Sequence, residues 1–423
     1  MKAYENRIIN GLLKSNLRLE LSTPEQVQSL LQLDIEVTLD PARCEELWPC
    51  VWALASVLER QFSGTIYINC GLSAQLPGPS ILGSRIVFGR PVSTNVFAIG
   101  IGVENKHRRF NLTGDVRGNQ ISCGRILQRE SKAHPIGCFA LAGYLGYSAL
   151  AKIVGLDPFN QSFAKDSLDL AFASEPTELP ASLVFIGLGQ LGQAYLALLF
   201  FLDQARSCAI HLLDKDPFEL PNRTTQILLP EITDWEGKGK AEYLKDRFSN
   251  LGWNATSERH CINWGWQKLD SHAPFALLGL DKFDPRRMVI AAGYEWLFEA
   301  GIGTSFVAPK ISWHSFPGRP EFAKLFPPDP IPTAPPQPTS EFENALMHNT
   351  PGGCGWVSYN SVSASAPSMG LVAAAYVWTE VLSHTQKATP LRGVARLWSP
   401  LLPYTREEVL IISQRKQRIA GSP

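Results

Sequence analysis

Short apolar runs alternate with segments of helical period through the second half of the chain. Leu183-Val184-Phe185-Ile186 is an apolar run of strand length, followed at once by Gly187-Leu188-Gly189-Gln190-Leu191-Gly192. The next segment, AYLALLFFLDQ, is long and apolar enough for a buried helix, and CAIHLL predicts a second strand ending at Asp214. Downstream, GKAEYLKDRFSNL has helical spacing, FALLGL reads as a buried strand, PRRMVIAAGYEWLF as a helix and SFVAPKISWHSF as extended strand. This alternation predicts an α/β domain from about Pro180 towards the C-terminus.

Residues 317–352 interrupt the pattern. FPPDPIPTAPPQPTS is dense in proline and polar, a composition expected to be extended and mobile. A helix of small residues, PSMGLVAAAYVWTEVL, follows. The first half holds a similar one, HPIGCFALAGYLGYSALAKIVG, likewise preceded by proline and rich in Ala and Gly. The pair reads either as an internal duplication or as coincidence between two buried helices. Residues 1–150 contain no phosphate-type glycine loop. The expected division is 1–175 and 176–423, the second part holding the crossover 317–352 and a cysteine loop near residue 354.

Composition narrows the picture. Hydrophobic residues make up 45% of the 423, enough for a full core, and Lys+Arg equals Asp+Glu at 39 each. That balance offers no surface suited to nucleic acid or to an acidic membrane. No apolar run looks long enough for a membrane span, and MKAYENRIIN lacks the apolar core of a signal peptide. The cysteines at 44, 50, 70, 123, 138, 208, 261 and 354 form no CxxC pair, so they read as reduced thiols in a cytoplasmic protein.

Chemistry concentrates after the first strand of the second half. Gly187, Gly189 and Gly192 supply a tight turn, close backbone approach to phosphate and close helix–strand packing. Asp214, ending the next strand, stands where a carboxylate binds ribose hydroxyls. These features alone also fit a dehydrogenase. The residues that follow do not: Asp216, Asn222, Arg223, Gln226 and Lys240 form a carboxylate, amide and cation cluster that a dehydrogenase does not need. Such a cluster suits an enzyme that holds a triphosphate and exposes its α-phosphorus.

The order GxGxxG, DxD, N-x-x-x-Q and a lysine opening a helix resembles the ThiF/MoeB and ubiquitin-activating enzyme family, whose third block is N-x-x-R-Q, over roughly residues 180–385. The resemblance implies a Rossmann-like adenylation domain that uses ATP and Mg²⁺. It assigns Asp214 and Asp216 to the DxD, Asn222 and Gln226 to the amides, and Lys240 to the lysine. It assigns Asp281 to the aspartate that helps bind Mg²⁺ and phosphates, with Arg286 at the family's distance beyond it. Thr225 stands where the family has a catalytic arginine, so Arg223 would have to reach the phosphates from two residues earlier. Tyr4-Glu5-Asn6-Arg7 resembles the family's entry segment. Arg7 is then either an arginine finger or an ordinary arginine on an amphipathic first helix.

Cys354, between Gly353 and Gly355 and just after the proline-rich stretch, is the expected acyl acceptor. A packing role in a tight loop is the alternative. His314 on an alternating strand reads as structurally satisfied. The leading expectation is adenylation of the C-terminal carboxylate of a ubiquitin-like protein and transfer to Cys354, with a conjugating protein as a further partner. The first half would be a degenerate adenylation-like domain, making a monomeric pseudo-dimer or a homodimer. Bacterial operons related to ubiquitination, some antiviral, use proteins organised in this way. The alternatives are a sulfur-carrier or peptide adenylyltransferase without a thioester, and a binding scaffold of the same fold.

Overall fold

The computed structural model describes residues 7–14, 23–70, 83–155, 167–169, 179–329, 366–386, 393–398 and 406–410, apart from short interior gaps, and a few isolated positions besides. Two short helices come first, α1 (Arg7–Lys14) and α2 (Pro24–Leu31). Thr23 caps α2 in a reciprocal box with Gln26. Then follow β1 (Ile35–Leu39), α3 (Cys44–Gln61), β2 (Ile66–Asn69), β3 (Ile86–Phe88), β4 (Phe97–Ile101), β5 (Leu112–Arg117), β6 (Gln120–Cys123), α4 (Pro135–Ile153) and β7 (Ser167–Asp169).

These strands form a seven-stranded sheet in the order β3-β2-β1-β4-β5-β6-β7. The pairings from β3 across to β5 are parallel, and those of β5 with β6 and β6 with β7 are antiparallel.

The second half repeats the plan. It runs β8 (Ser182–Ile186), α5 (Gln190–Leu202), β9 (Ala209–Leu213), α6 (Lys240–Asn250), β10 (Ala255–Glu258), β11 (Phe275–Leu278), α7 (Phe283–Ile290), β12 (Trp296–Ile302), β13 (Ile311–Pro317), α8 (Pro367–Gln386), β14 (Gly393–Trp398) and β15 (Arg406–Leu410). The sheet order is β10-β9-β8-β11-β12-β13-β14-β15, which is the first order strand for strand with one strand added at the end. Helices α4 and α8, the two that looked alike in sequence, occupy the same place in the two plans, between the sixth and seventh strands.

The four long apolar helices form the layer where the halves meet. Gly143 in α4 faces Val372 and the Ser368 carbonyl of α8, at distances that leave no room for a β-carbon. Tyr144 and Tyr376 share a hydroxyl contact of 3.2 Å across the same seam. Gln61 Nε2 donates to Ser368 Oγ at 2.9 Å, tying α3 to α8. Trp52, Phe139 and Phe201 bring α3, α4 and α5 together with ring centroids 5.4–6.3 Å apart. One hydrophobic core therefore spans both halves.

Three expectations need correction. The segment PRRMVIAAGYEWLF is not one helix: α7 ends at Ile290, Gly293 turns the chain at φ +95°, and Trp296 starts β12. Trp296, Leu297 and Phe298 are all buried, so this strand lacks the alternation that marks a half-exposed one. Nor is the whole proline-rich stretch a tether: Pro320–Leu325 forms a 3₁₀ turn, and Phe322 and Phe326 are buried in the core beneath β12 and β13. Finally, α4 is by length and composition apolar enough to cross a membrane, but most of it is buried inside the protein, between α3 and α8.

Candidate nucleotide site

In the second sheet the chain leaves β8 for β9 on one side and returns to β11 on the other. The crevice at the carboxyl ends of β8 and β11 is the topological switch point, where open α/β sheets bind ligands. Both edges are built around glycines. Gly187 follows β8 with φ +84°, a conformation that a side chain would strain. A β-carbon on Gly192 would stand 2.1 Å from the Gly187 carbonyl oxygen, and one on Gly279 2.4 Å from the same atom. Gly189 differs: a β-carbon there would meet nothing within 4 Å. Gly187, Gly192 and Gly279 are thus needed for packing, while Gly189 keeps its backbone open to the crevice. Gly279 went unnoticed in the sequence, although a glycine closing the FALLGL run just ahead of Asp281 was a usable signal.

Asp214 locks the turn. Its carboxylate accepts from the Leu188 amide at 2.6 Å and from the Asp216 amide at 2.8 Å. Burial lifts its pKa above the ordinary carboxylate value, against the pull of Lys240 and of these two N–H groups. A carboxylate has about four acceptor positions, so two backbone bonds leave capacity for a ligand hydroxyl. Asp216 is half-exposed and pairs with Lys215 at 2.7 Å.

Lys240 reaches this place through a clasp between two loops. Phe218 N donates to Lys238 O at 2.8 Å, and Gly237 N to Phe218 O at 2.9 Å. Lys240 N donates to Asp216 O at 3.0 Å. The clasp sets the start of α6 against the DxD segment and leaves Lys240 largely buried, with Asp214 within electrostatic reach.

The amides have partners of their own. Asn222 Oδ1 accepts from Glu219 N at 3.1 Å and closes the 3₁₀ turn Leu220–Thr224. Gln226 Oε1 accepts from Gln193 Nε2 at 2.7 Å, and the same nitrogen reaches the Leu188 carbonyl at 3.1 Å. Gln193, fully buried on a mostly apolar helix, thereby joins the amide segment to the glycine turn. It was legible as a polar residue one turn inside a strongly apolar helix but was not singled out. Arg223 does not stand free for a ligand: its guanidinium donates to Glu59 Oε1 of α3 at 2.9 Å. Thr225 is buried, its amide donating to Asn222 O at 3.1 Å.

Asp281 is exposed just beyond β11. Arg286 holds the preceding residue through Nε to the Leu280 carbonyl at 3.1 Å and pairs with Glu299 at 2.8 Å. His314 takes the other Glu299 oxygen. Burial pushes the Glu299 carboxyl up, but Arg286 and His314 hold it below its ordinary value. Arg286 and His314 are thus structural, and Arg286 aims the loop that carries Asp281.

Arg7 comes from the other half. Helix α1 packs on the 3₁₀ turn Leu220–Thr224 and brings the part-buried Arg7 within electrostatic reach of Glu219 and Asp281. Burial lowers its pKa, and the two carboxylates oppose that shift. Cys354 lies outside the described residues. Ala366, about a dozen positions later, accepts from Gln190 Nε2 at 3.0 Å.

The first sheet's switch point, between β1 and β4, is filled differently. Arg43 NH1 donates to Asp115 at 2.5 Å and NH2 to the Val116 carbonyl at 2.6 Å, and NH1 also lies against Gly102. Arg43, four residues beyond β1, thus forms a buried ion pair with Asp115 of β5 beside Gly102.

Residues 179–388, just under half of the chain, match the family described as the BilD C-terminal domain. The chain is also 27% identical over 266 residues to the Bacterial E1-like protein BilD of Collimonas sp. (strain OK412), a match covering 62% of this chain and 54% of that protein. The chain thus spans about half the length of that curated relative. A solved structure of E. coli MccB with ATP aligns at a TM-score of 0.34 and 14% identity, over 64% of this chain and 69% of that one. Another, of E. coli MccB, aligns at 0.32 and 17%, over 61% and 67%.

Proposed function

We propose that the chain is an ATP-dependent activating enzyme that adenylates the C-terminal carboxylate of a ubiquitin-like protein. The observation that carries this reading is convergence at one switch point: the glycine turn, Asp214, Lys240 and Asp281 from the second half meet Arg7 from the first. The similarity to an E1-like protein supports it.

The chemistry assigns each part a task. Gly189 and the start of α5 offer backbone N–H groups to phosphate. Asp214 takes the ribose. Lys240 and Arg7 offset the charge of the triphosphate. The substrate carboxylate is already ionised at neutral pH and needs no side-chain base. It attacks the α-phosphorus, the α–β phosphoanhydride bond breaks, and pyrophosphate leaves with that electron pair. Among the described residues no three His, Cys, Asp or Glu gather as a metal cage. Mg²⁺ bound with nucleotide phosphates needs only one or two carboxylates, and the exposed Asp281 fits that role. There the ion would neutralise phosphate charge.

The acyl group would then pass to Cys354 as a thioester, with AMP leaving. The bond from Gln190 to Ala366 supports this second step. It fixes one end of the segment beside the glycine turn, and about a dozen residues span at most roughly 40 Å. A conjugating protein is the proposed next acceptor, and the first half serves as a degenerate partner domain supplying Arg7.

A non-reducing gel separates the two steps. Wild type with ATP and a glycine-ended ubiquitin-like protein should give a band that dithiothreitol removes. Cys354→Ala should lose that band and keep ATP–pyrophosphate exchange. A band that survives in the variant assigns the thiol role to another cysteine, and exchange without any band in wild type ends the reaction at the adenylate.

A further inference from the structure

We infer that Arg60 and Glu59, at the end of α3 in the first half, are positioning residues for the nucleotide site of the second half. The inference rests on the function proposed above. Arg60 is fully buried, and its guanidinium is spent on main-chain carbonyls: Nε to Gln226 at 3.0 Å, NH2 to Ile227 at 2.9 Å and to Leu229 at 2.8 Å, and NH1 to Ser56 at 2.5 Å. Three of these four carbonyls belong to one short stretch of the other half. That stretch begins at Gln226, whose side chain joins Gln193, which in turn holds the Leu188 carbonyl of the glycine turn. Glu59, 3% exposed, takes Arg223 at 2.9 Å just upstream.

The physical reason for a tether is plain. Residues 226–229 form no strand or helix, yet they are buried, so their carbonyls need donors that no sheet ladder provides. A planar guanidinium with five N–H groups meets that need from one side, and its charge shortens and strengthens each bond. Because the donor stands on the first half, Gln226 keeps its place only while the halves stay docked. Arg60 acts through these carbonyls. It sets where the amide segment and the Leu188 carbonyl lie.

The test compares full-length wild type, Arg60→Lys and Glu59→Gln by calorimetric titration with ATP and, separately, with AMP. Lysine keeps the charge but has no fork to span the three carbonyls. Arg60→Lys should weaken ATP about ten- to hundred-fold and AMP far less, because the amide segment serves the phosphates. Glu59→Gln should show the same selectivity in milder form, and it supplies the answer should Arg60→Lys not fold. Equal losses for ATP and AMP, or unchanged affinities in folded variants, would overturn the positioning role. Wild type that binds no ATP would bring down the proposed function and this inference together, and that is seen before any substitution is made.

Discussion

At the scale of single residues, the four glycines around the switch point divide by what surrounds them. A methyl on Gly279 would collide with the Gly187 carbonyl and the Gly192 amide, whereas Gly189 has open space. Gly279→Ala should therefore cost about 1–3 kcal/mol in urea unfolding, as overpacking does. Gly189→Ala should unfold as wild type does but bind ATP at least about tenfold more weakly, because the methyl occupies the phosphate approach. Equal unfolding midpoints for the two variants would refute this division. Asp214 combines both kinds of duty. Asp214→Ala should weaken ATP binding and also strip the Leu188 and Asp216 amides of their acceptor, costing about 1–3 kcal/mol in chemical denaturation. Loss of affinity with no loss of stability would mean that the turn does not depend on this carboxylate.

At the scale of elements, α4 is opened by His134, whose Nδ1 accepts from the Ile136 amide at 3.3 Å. Burial pulls this imidazole from 6.5 down to about 4. Between those values the unfolded chain binds more protons than the folded one, so stability rises with pH across the window. The contribution is whole above about pH 6.5 and is lost as pH falls towards 4, by roughly 2–3 kcal/mol. Asparagine caps a helix without titrating in this range. His134→Asn should flatten that part of the pH dependence in urea titrations at pH 7 and 4.5, and a profile unchanged from wild type would assign the acid sensitivity elsewhere.

Most elements of the second half could be read directly, because β8, α5 and β11 combine length, apolar character and glycine punctuation. The strand β12 could not, since burial on both faces erases the alternation that separates strand from helix. The site divided in the same way. Glycines and the DxD carry local signatures, so they were legible. The Glu59–Arg223 pair and the Gln193–Gln226 link join residues 164 and 33 positions apart, and no local pattern announces such contacts.

At the scale of the whole molecule, two sheets with one strand order share a core across the halves, but β8 leads into a glycine turn where β1 leads into Asp40-Pro41-Ala42-Arg43. Arg43 pairs there with Asp115 of β5. The first half's proposed contribution to the reaction is Arg7, which α1 brings within electrostatic reach of Asp281. Removing residues 1–10 should slow adenylation more than it lowers the unfolding midpoint. Full-rate pyrophosphate exchange in the truncated protein would reduce Arg7 to an ordinary part-buried arginine.

The central claim is that this crevice activates a carboxylate with ATP. Lys240 is the sharpest probe of it, because it is buried beside the glycine turn with its charge acting on Asp214. The direct measurement is ATP–pyrophosphate exchange, with a glycine-ended ubiquitin-like protein as acceptor, for wild type and Lys240→Ala at matched unfolding midpoints. Wild type should exchange, and the variant should lose about a hundredfold or more, the scale for removing a charge partner at a phosphoryl centre. Equal exchange in the two proteins would contradict the account.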